Sequence, residues 1–126
     1  DSCRVPNDGQ ENALPYDISL ADITLEFADQ IAQCKPWGYG NLQPSFRIAH
    51  CTVTTISRVG KKQQHLRLSV EEDGQHRTMI GIKKVKQSAF LSVGDVLSAH
   101  CHVDTGYWNG ARDIFIELID YVKQTV

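Results

Sequence analysis

The sequence predicts a mainly β fold: a small five-stranded barrel preceded by one short α-helix and a proline-, glycine- and aromatic-rich loop. Three observations carry this. From residue 46 onward, five runs place apolar side chains at every second position, the period of a half-buried strand. Glycine turns at Gly60, Gly74 and Gly110 punctuate those runs. Ahead of them, one stretch repeats its apolar residues every three or four positions, the helical period.

Length and composition agree. A chain of 126 residues supports one domain with a modest core and is too short for two. With 41% hydrophobic and 22% charged residues it has the composition of a soluble globular protein. No run approaches the eighteen apolar residues of a membrane span, so no membrane role is expected. The start, Asp1-Ser2-Cys3-Arg4, shows neither an initiator Met nor a basic-then-apolar leader. The chain therefore reads as a piece of a larger, cytoplasmic protein. Cys3, Cys34, Cys51 and Cys101 show no CxxC or zinc spacing, and Cys51 and Cys101 lie in apolar strand patterns, so reduced thiols are expected.

The elements follow in order. Residues 1–19 form a loose polar segment, with a short extended piece at Tyr16–Leu20. Residues 20–45 hold the helix and its connecting loop. Leu20, Ile23, Phe27, Ile31 and Cys34 form the helical stripe, Ser19 and Asp22 suggest an N-terminal cap, and Pro36 stops the helix. Two prolines, two glycines and the aromatics Trp37 and Tyr39 then fill Pro36–Pro44, which neither helix nor strand can cross.

Residues 46–126 form the barrel. The first run, Phe46 to Val59, changes phase after Val53, which predicts a bulge. Gln64 to Glu72 alternates cleanly, with Leu66, Leu68 and Val70 inward. After the Asp73-Gly74 turn, His76 to Lys83 is read with Ile80 and Ile82 inward and Arg77, Met79 and Gly81 outward. Lys84–Leu91 lacks turn residues and suits a short helix. The fourth strand, restarting at Val93-Gly94-Asp95, runs to Thr105, and the fifth, Ala111 to Val122, returns from a Tyr107–Gly110 tip. This β-β-β-helix-β-β order fits the five-stranded oligonucleotide/oligosaccharide-binding barrel, the OB-fold, with a small SH3-like barrel as rival.

Charge is uneven. Residues 1–45 carry seven acids and two bases, whereas residues 46–126 carry eight acids and eleven bases. The barrel can thus form a local phosphate-binding patch. OB-folds bind single strands across strands two and three and the flanking loops. That face would present His65, Arg67, Arg77 and Met79, with Lys61 and Lys62 in the first loop and Tyr107, Trp108 and Arg112 at the last. Cations track phosphates, and aromatic rings stack on bases for about 1–3 kcal/mol each. The alternative is that Tyr107 and Trp108 cover the barrel end and the lysines are a solvated loop.

No catalytic or metal residues are assigned. His100, His102 and Asp104 share one strand face, but their Cα atoms span roughly 13 Å, too far for one metal without a bulge. No cysteine has a recognisable base and oxyanion loop, and no GxxxxGK[ST] or GxGxxG is present.

One family shares these features. Ile23-Thr24-Leu25-Glu26-Phe27-Ala28, followed by Pro36-Trp37-Gly38-Tyr39-Gly40-Asn41, Pro44 and Phe46, resembles the C-terminal part of RecJ-type single-strand-specific DNA exonucleases. His65-Leu66-Arg67-Leu68, Val93-Gly94-Asp95, Trp108-Asn109-Gly110 and Asp120 extend the resemblance to about residues 16–122. Asn41-Leu42-Gln43-Pro44 departs from the family's Asn-Pro-Glu-Pro. The resemblance implies an OB domain, non-catalytic by itself, from an enzyme that degrades single-stranded DNA from the 5′ end in DNA repair and recombination. The Mn²⁺ or Mg²⁺ of such an enzyme belongs to a catalytic core absent from this chain, so no cofactor is expected here. Trp37, Tyr39 and Asn41 would then lie in an interdomain loop. The leading expectation is a module that holds single-stranded DNA. The alternative is a structural module that braces the nuclease core or docks a partner protein through an exposed patch of Trp37, Tyr39 and the helix face.

Overall fold

The computed structural model describes residues 15–124, apart from the Trp108 side chain. The expected loose segment up to residue 14 lies outside the described residues. From Tyr16 the expected extended piece is present as a strand, β1 (Tyr16–Ile18), paired in parallel with Phe46–Ile48. The barrel strands follow as β2 (Phe46–Val59), β3 (His65–Glu72), β4 (Gln75–Gly81), β5 (Val96–Trp108) and β6 (Ala111–Lys123). They run in the order β1-β2-β3-β4-β6-β5, and pairing of β2 with β5 closes the sheet into a five-stranded OB barrel with β1 added outside.

β2 is long enough to serve both sides of the closure. Its register shifts between Val53 and Thr55 against β3, and between Ile48 and Cys51 against β5. The shift at Val53 matches the phase change in the sequence, the one at Ile48 has no counterpart there, and together they let one strand bend through the barrel. Ile48, Cys51, Val53, Leu66, Leu68, Val70, Leu97, Ala99 and Leu118 meet in the core. Burial pushes the Cys51 and Cys101 thiols up to about 12, so both act as small apolar groups. The short helical segment between β4 and β5 is a 3₁₀ helix, Val85–Phe90. The last hairpin turns more tightly than expected: Tyr107 and Trp108 belong to β5, and only Asn109 and Gly110 form the turn.

The predicted single helix is divided. Leu20–Asp22 forms one 3₁₀ turn, and the α-helix proper, α1, spans Leu25–Ala32. Tertiary contacts impose the break. The Leu20 N–H donates to Glu72 Oε1 at 2.8 Å, and the Ile23 carbonyl accepts from Arg77 Nε at 2.8 Å. With Ile23 held extended, Thr24 starts a new helix by accepting the Phe27 N–H on Oγ1. The apolar face then packs inward: Ala28 is fully buried, and Phe27 meets Phe46 edge-on at 5.2 Å. No helix among the described residues is long and apolar enough to cross a membrane.

Candidate nucleic-acid interface

Two strand edges frame the site. β4 and β6 run parallel but share register only at Ile80 and Glu117. Toward the Asn109-Gly110 tip they part around an open groove of about 560 Å³. Arg67 and Ser69 reach it because Leu66, Leu68 and Val70 take the alternate positions facing the core. His76, Thr78 and Ile80 line the β4 side. Asn109, Asp113 and Phe115 form the β6 side.

The structure corrects the expected phase of β4 in part: Ile80 is buried as expected, but Met79 and Gly81, expected outward, are buried too. Met79 is fully buried opposite Leu68, whereas Ile82 lies beyond the strand at 39% exposure. Cross-strand partners share a face, so pairing with the regular β3 fixes the phase. Arg77, opposite Val70, therefore does not stand beside Arg67, which pairs with Ile80. It touches the groove wall, but its guanidinium is held by the carbonyls of Ile23 and His76 at 2.8 and 2.7 Å. Arg77 thus clamps the N-terminal segment with two of its donors while still lining the groove.

The other candidates divide in the same way. Arg67, Lys61 and Lys62 are exposed, and none forms an ion pair among the described residues. His65 is structural: its Nδ1 accepts the Lys83 N–H at 2.9 Å, and its ring lies over Gly60. A Cβ at Gly60, where φ is +97°, would stand 2.5 Å from that ring. Arg112 is matched to Asp29 at 2.9 Å and so ties β6 to α1. Tyr107 is 76% exposed beside the hairpin tip, while the Trp108 side chain lies outside the described residues.

In the loop after α1, Asn41 is the organiser. Its Nδ2 donates to the carbonyls of Cys34 and Pro36 at 2.7 and 2.9 Å, while its backbone pairs with Gly38. Trp37 is half-buried, whereas Tyr39 is 99% exposed. The expected exposed patch does not include the helix face, which the barrel covers.

Sequence reasoning missed His76, Ser69, Thr78 and Phe115. Ser69 was legible from the alternation of β3. Phe115 was not, because Ile114-Phe115-Ile116 is apolar throughout and hides its own phase. On another face, Arg47, His100 and Asp120 stand in register across β2, β5 and β6. Burial, and then His102, depress the His100 pKa against the opposing pull of Asp120. Among the described residues no three His, Cys, Asp or Glu side chains gather as a metal would require.

The family model described as "RecJ OB domain" matches residues 16–120. No curated protein sequence matches the chain. Among solved structures, RecJ from Thermus thermophilus in complex with Mg²⁺ superposes with a TM-score of 0.60 at 17% identity, over 89% of this chain and 16% of that one. The same protein with Mn²⁺ gives 0.54 at 19% identity, over 78% and 14%. A putative aspartyl-tRNA synthetase from Leishmania major Friedlin gives 0.56 at 8% identity, over 90% and 22%. At these identities the likeness is one of fold, and the chain spans less than a quarter of each of these proteins.

Proposed function

The chain belongs to the RecJ OB domain family, and from that premise we propose that it binds single-stranded DNA in the β3–β4–β6 groove and guides it to a separate nuclease core. The observation that carries this is the groove itself. It is open, it carries the guanidinium of Arg67, which has no ion-pair partner among the described residues, and it ends at the hairpin tip beside which Tyr107 is exposed. Arg67 would contact phosphate, and Phe115 and Tyr107 offer surfaces on which bases stack. In this reading the parent is a cytoplasmic 5′–3′ single-strand exonuclease of repair and recombination, whose Mn²⁺ or Mg²⁺ sits in its catalytic core. The test is fluorescence anisotropy of a labelled single strand titrated with the 126-residue chain, beside a duplex control, at two salt concentrations. Saturable, salt-weakened binding to the single strand, reduced by Arg67→Ala and Tyr107→Ala, supports the reading. Equal binding of duplex, or no binding at low salt, overturns it.

A second, compatible role rests on Tyr39. A fully exposed aromatic on a loop braced by Asn41 suits contact with an adjoining part of a longer protein. Tyr39→Ser should leave the stability of the isolated chain unchanged, and should weaken its association with the nuclease core when the two are mixed.

A further inference from the structure

The end of the barrel beyond Ile80 carries a concentration of positive charge that no single stretch of sequence displays. Residues 54–70 and 74–94 contain no Asp or Glu. The turn after β2 holds Lys61 and Lys62, and the segment after β4 holds Lys83, Lys84 and Lys86. These stretches lie twenty residues apart in the chain, yet the fold fastens them side by side. His65 Nδ1 accepts the Lys83 N–H at 2.9 Å, and the Val85 N–H donates to the Gln64 carbonyl at 3.1 Å. The aliphatic stem of Lys84 lies over Gly81, 3.1–3.2 Å from where a Cβ there would stand. None of the five lysines forms an ion pair among the described residues, whereas Lys35 and Lys123 both do. Five lysines on two segments tied to each other, none ion-paired among the described residues, raise the local potential and concentrate a polyanion.

The position of this cluster says which polyanion. Because β4 and β6 run parallel through Ile80 and Glu117, the groove extends back from Ile80 toward the hairpin tip. Lys83 follows Ile80 by three residues, so the cluster begins where the groove ends. We propose that Lys83, Lys84 and Lys86, together with Lys61 and Lys62, form a second phosphate-binding surface. It carries the sugar–phosphate backbone of the same strand after that strand leaves the groove. This inference rests on the groove reading and adds to it an extended site and a path: aromatic tip, groove, lysine end. The module would then have a short base-contacting section and a longer, sequence-indifferent section held by charge.

Strand length separates the two sections. Anisotropy with labelled oligo-dT of about 4 and about 15 nucleotides, the limits of what one OB barrel covers, is compared for the natural chain and the triple variant Lys83→Gln/Lys84→Gln/Lys86→Gln. A thermal melt checks that the variant is folded. The variant should bind the long strand about five- to twenty-fold more weakly, and its slope of log K against log salt should fall by about 2, some 0.7 per phosphate released. The short strand should be bound equally by both proteins. Equal affinity and slope for the long strand in the two proteins overturn the proposal. If the short strand is not bound at all while the long strand still depends on the lysines, the groove reading fails and the lysine surface stands. Competition by poly-glutamate as effective as that by unlabelled oligo-dT overturns the assignment to nucleic acid and makes the surface one for acidic protein.

Discussion

At the groove and the barrel end beside it, Arg67, Lys61 and Lys62 have no ion-pair partner among the described residues, whereas elsewhere Arg47, Lys35 and Arg112 each meet a carboxylate. Arg47 grips Asp17 through Nε and Nη2 at 2.7 and 3.0 Å, Lys35 reaches Asp104, and Arg112 reaches Asp29 at 2.9 Å. Arg77 belongs to this second group, though its partners are carbonyls. The difference teaches how one residue type serves two ends. A cation paired with a carboxylate fixes one segment against another, and its field is largely cancelled beyond that contact, whereas Arg77 on neutral carbonyls keeps its charge and commits its donors to the fold. A cation without a partner adds nothing to the fold and leaves a potential that an anion can meet. Arg67 and Arg77 lie on adjacent paired strands and divide along this line.

Substitutions can break that division or sharpen it. The largest effect is expected from Arg77→Ala, which strips a charged donor from the partly buried Ile23 carbonyl and from the exposed His76 carbonyl. Urea denaturation should show a loss of about 1.5–3 kcal/mol, and a loss under about 0.5 kcal/mol would mean that the clamp is incidental. Asn41→Ala removes two hydrogen bonds to the carbonyls of Cys34 and Pro36 in the loop after α1 and should cost about 1–2 kcal/mol in the same experiment. Arg67→Ala should do the reverse: stability unchanged within about 0.5 kcal/mol, but affinity for a single strand lowered about three- to tenfold. A variant that lost stability and kept its affinity would erase the distinction between Arg67 and Arg77. Asp29→Asn tests the half-exposed pair with Arg112, where a change of no more than about 0.5 kcal/mol is expected.

The smallest effect is one of pH. His100 has its pKa depressed in the fold, first by burial. The unfolded chain therefore binds the proton more readily, so stability rises with pH through the histidine range and declines as pH drops below roughly 6.5. His100→Gln should flatten this dependence between pH 7.5 and 5 when denaturation midpoints are compared. The same slope in both proteins would remove His100 as its source.

Sequence alone determined much of the architecture. Alternation marked five strands, glycines marked their turns, the phase change in β2 marked its bulge, and the helical stripe marked α1. Each of these is a local signal, set by the direction of successive side chains and the backbone freedom of single residues. Where two phases fitted equally, the sequence could not choose: Met79-Ile80 and Ile114-Phe115-Ile116 offer apolar residues to both faces. Pairing with β3 made that choice for β4 and turned Arg77 away from Arg67. The break at Ile23, the two open edges around the groove and the joining of the two lysine turns likewise arise between residues distant in the chain. Local periodicity carries no record of such contacts, since the partner that satisfies a backbone group or cancels a charge is supplied only when the barrel closes.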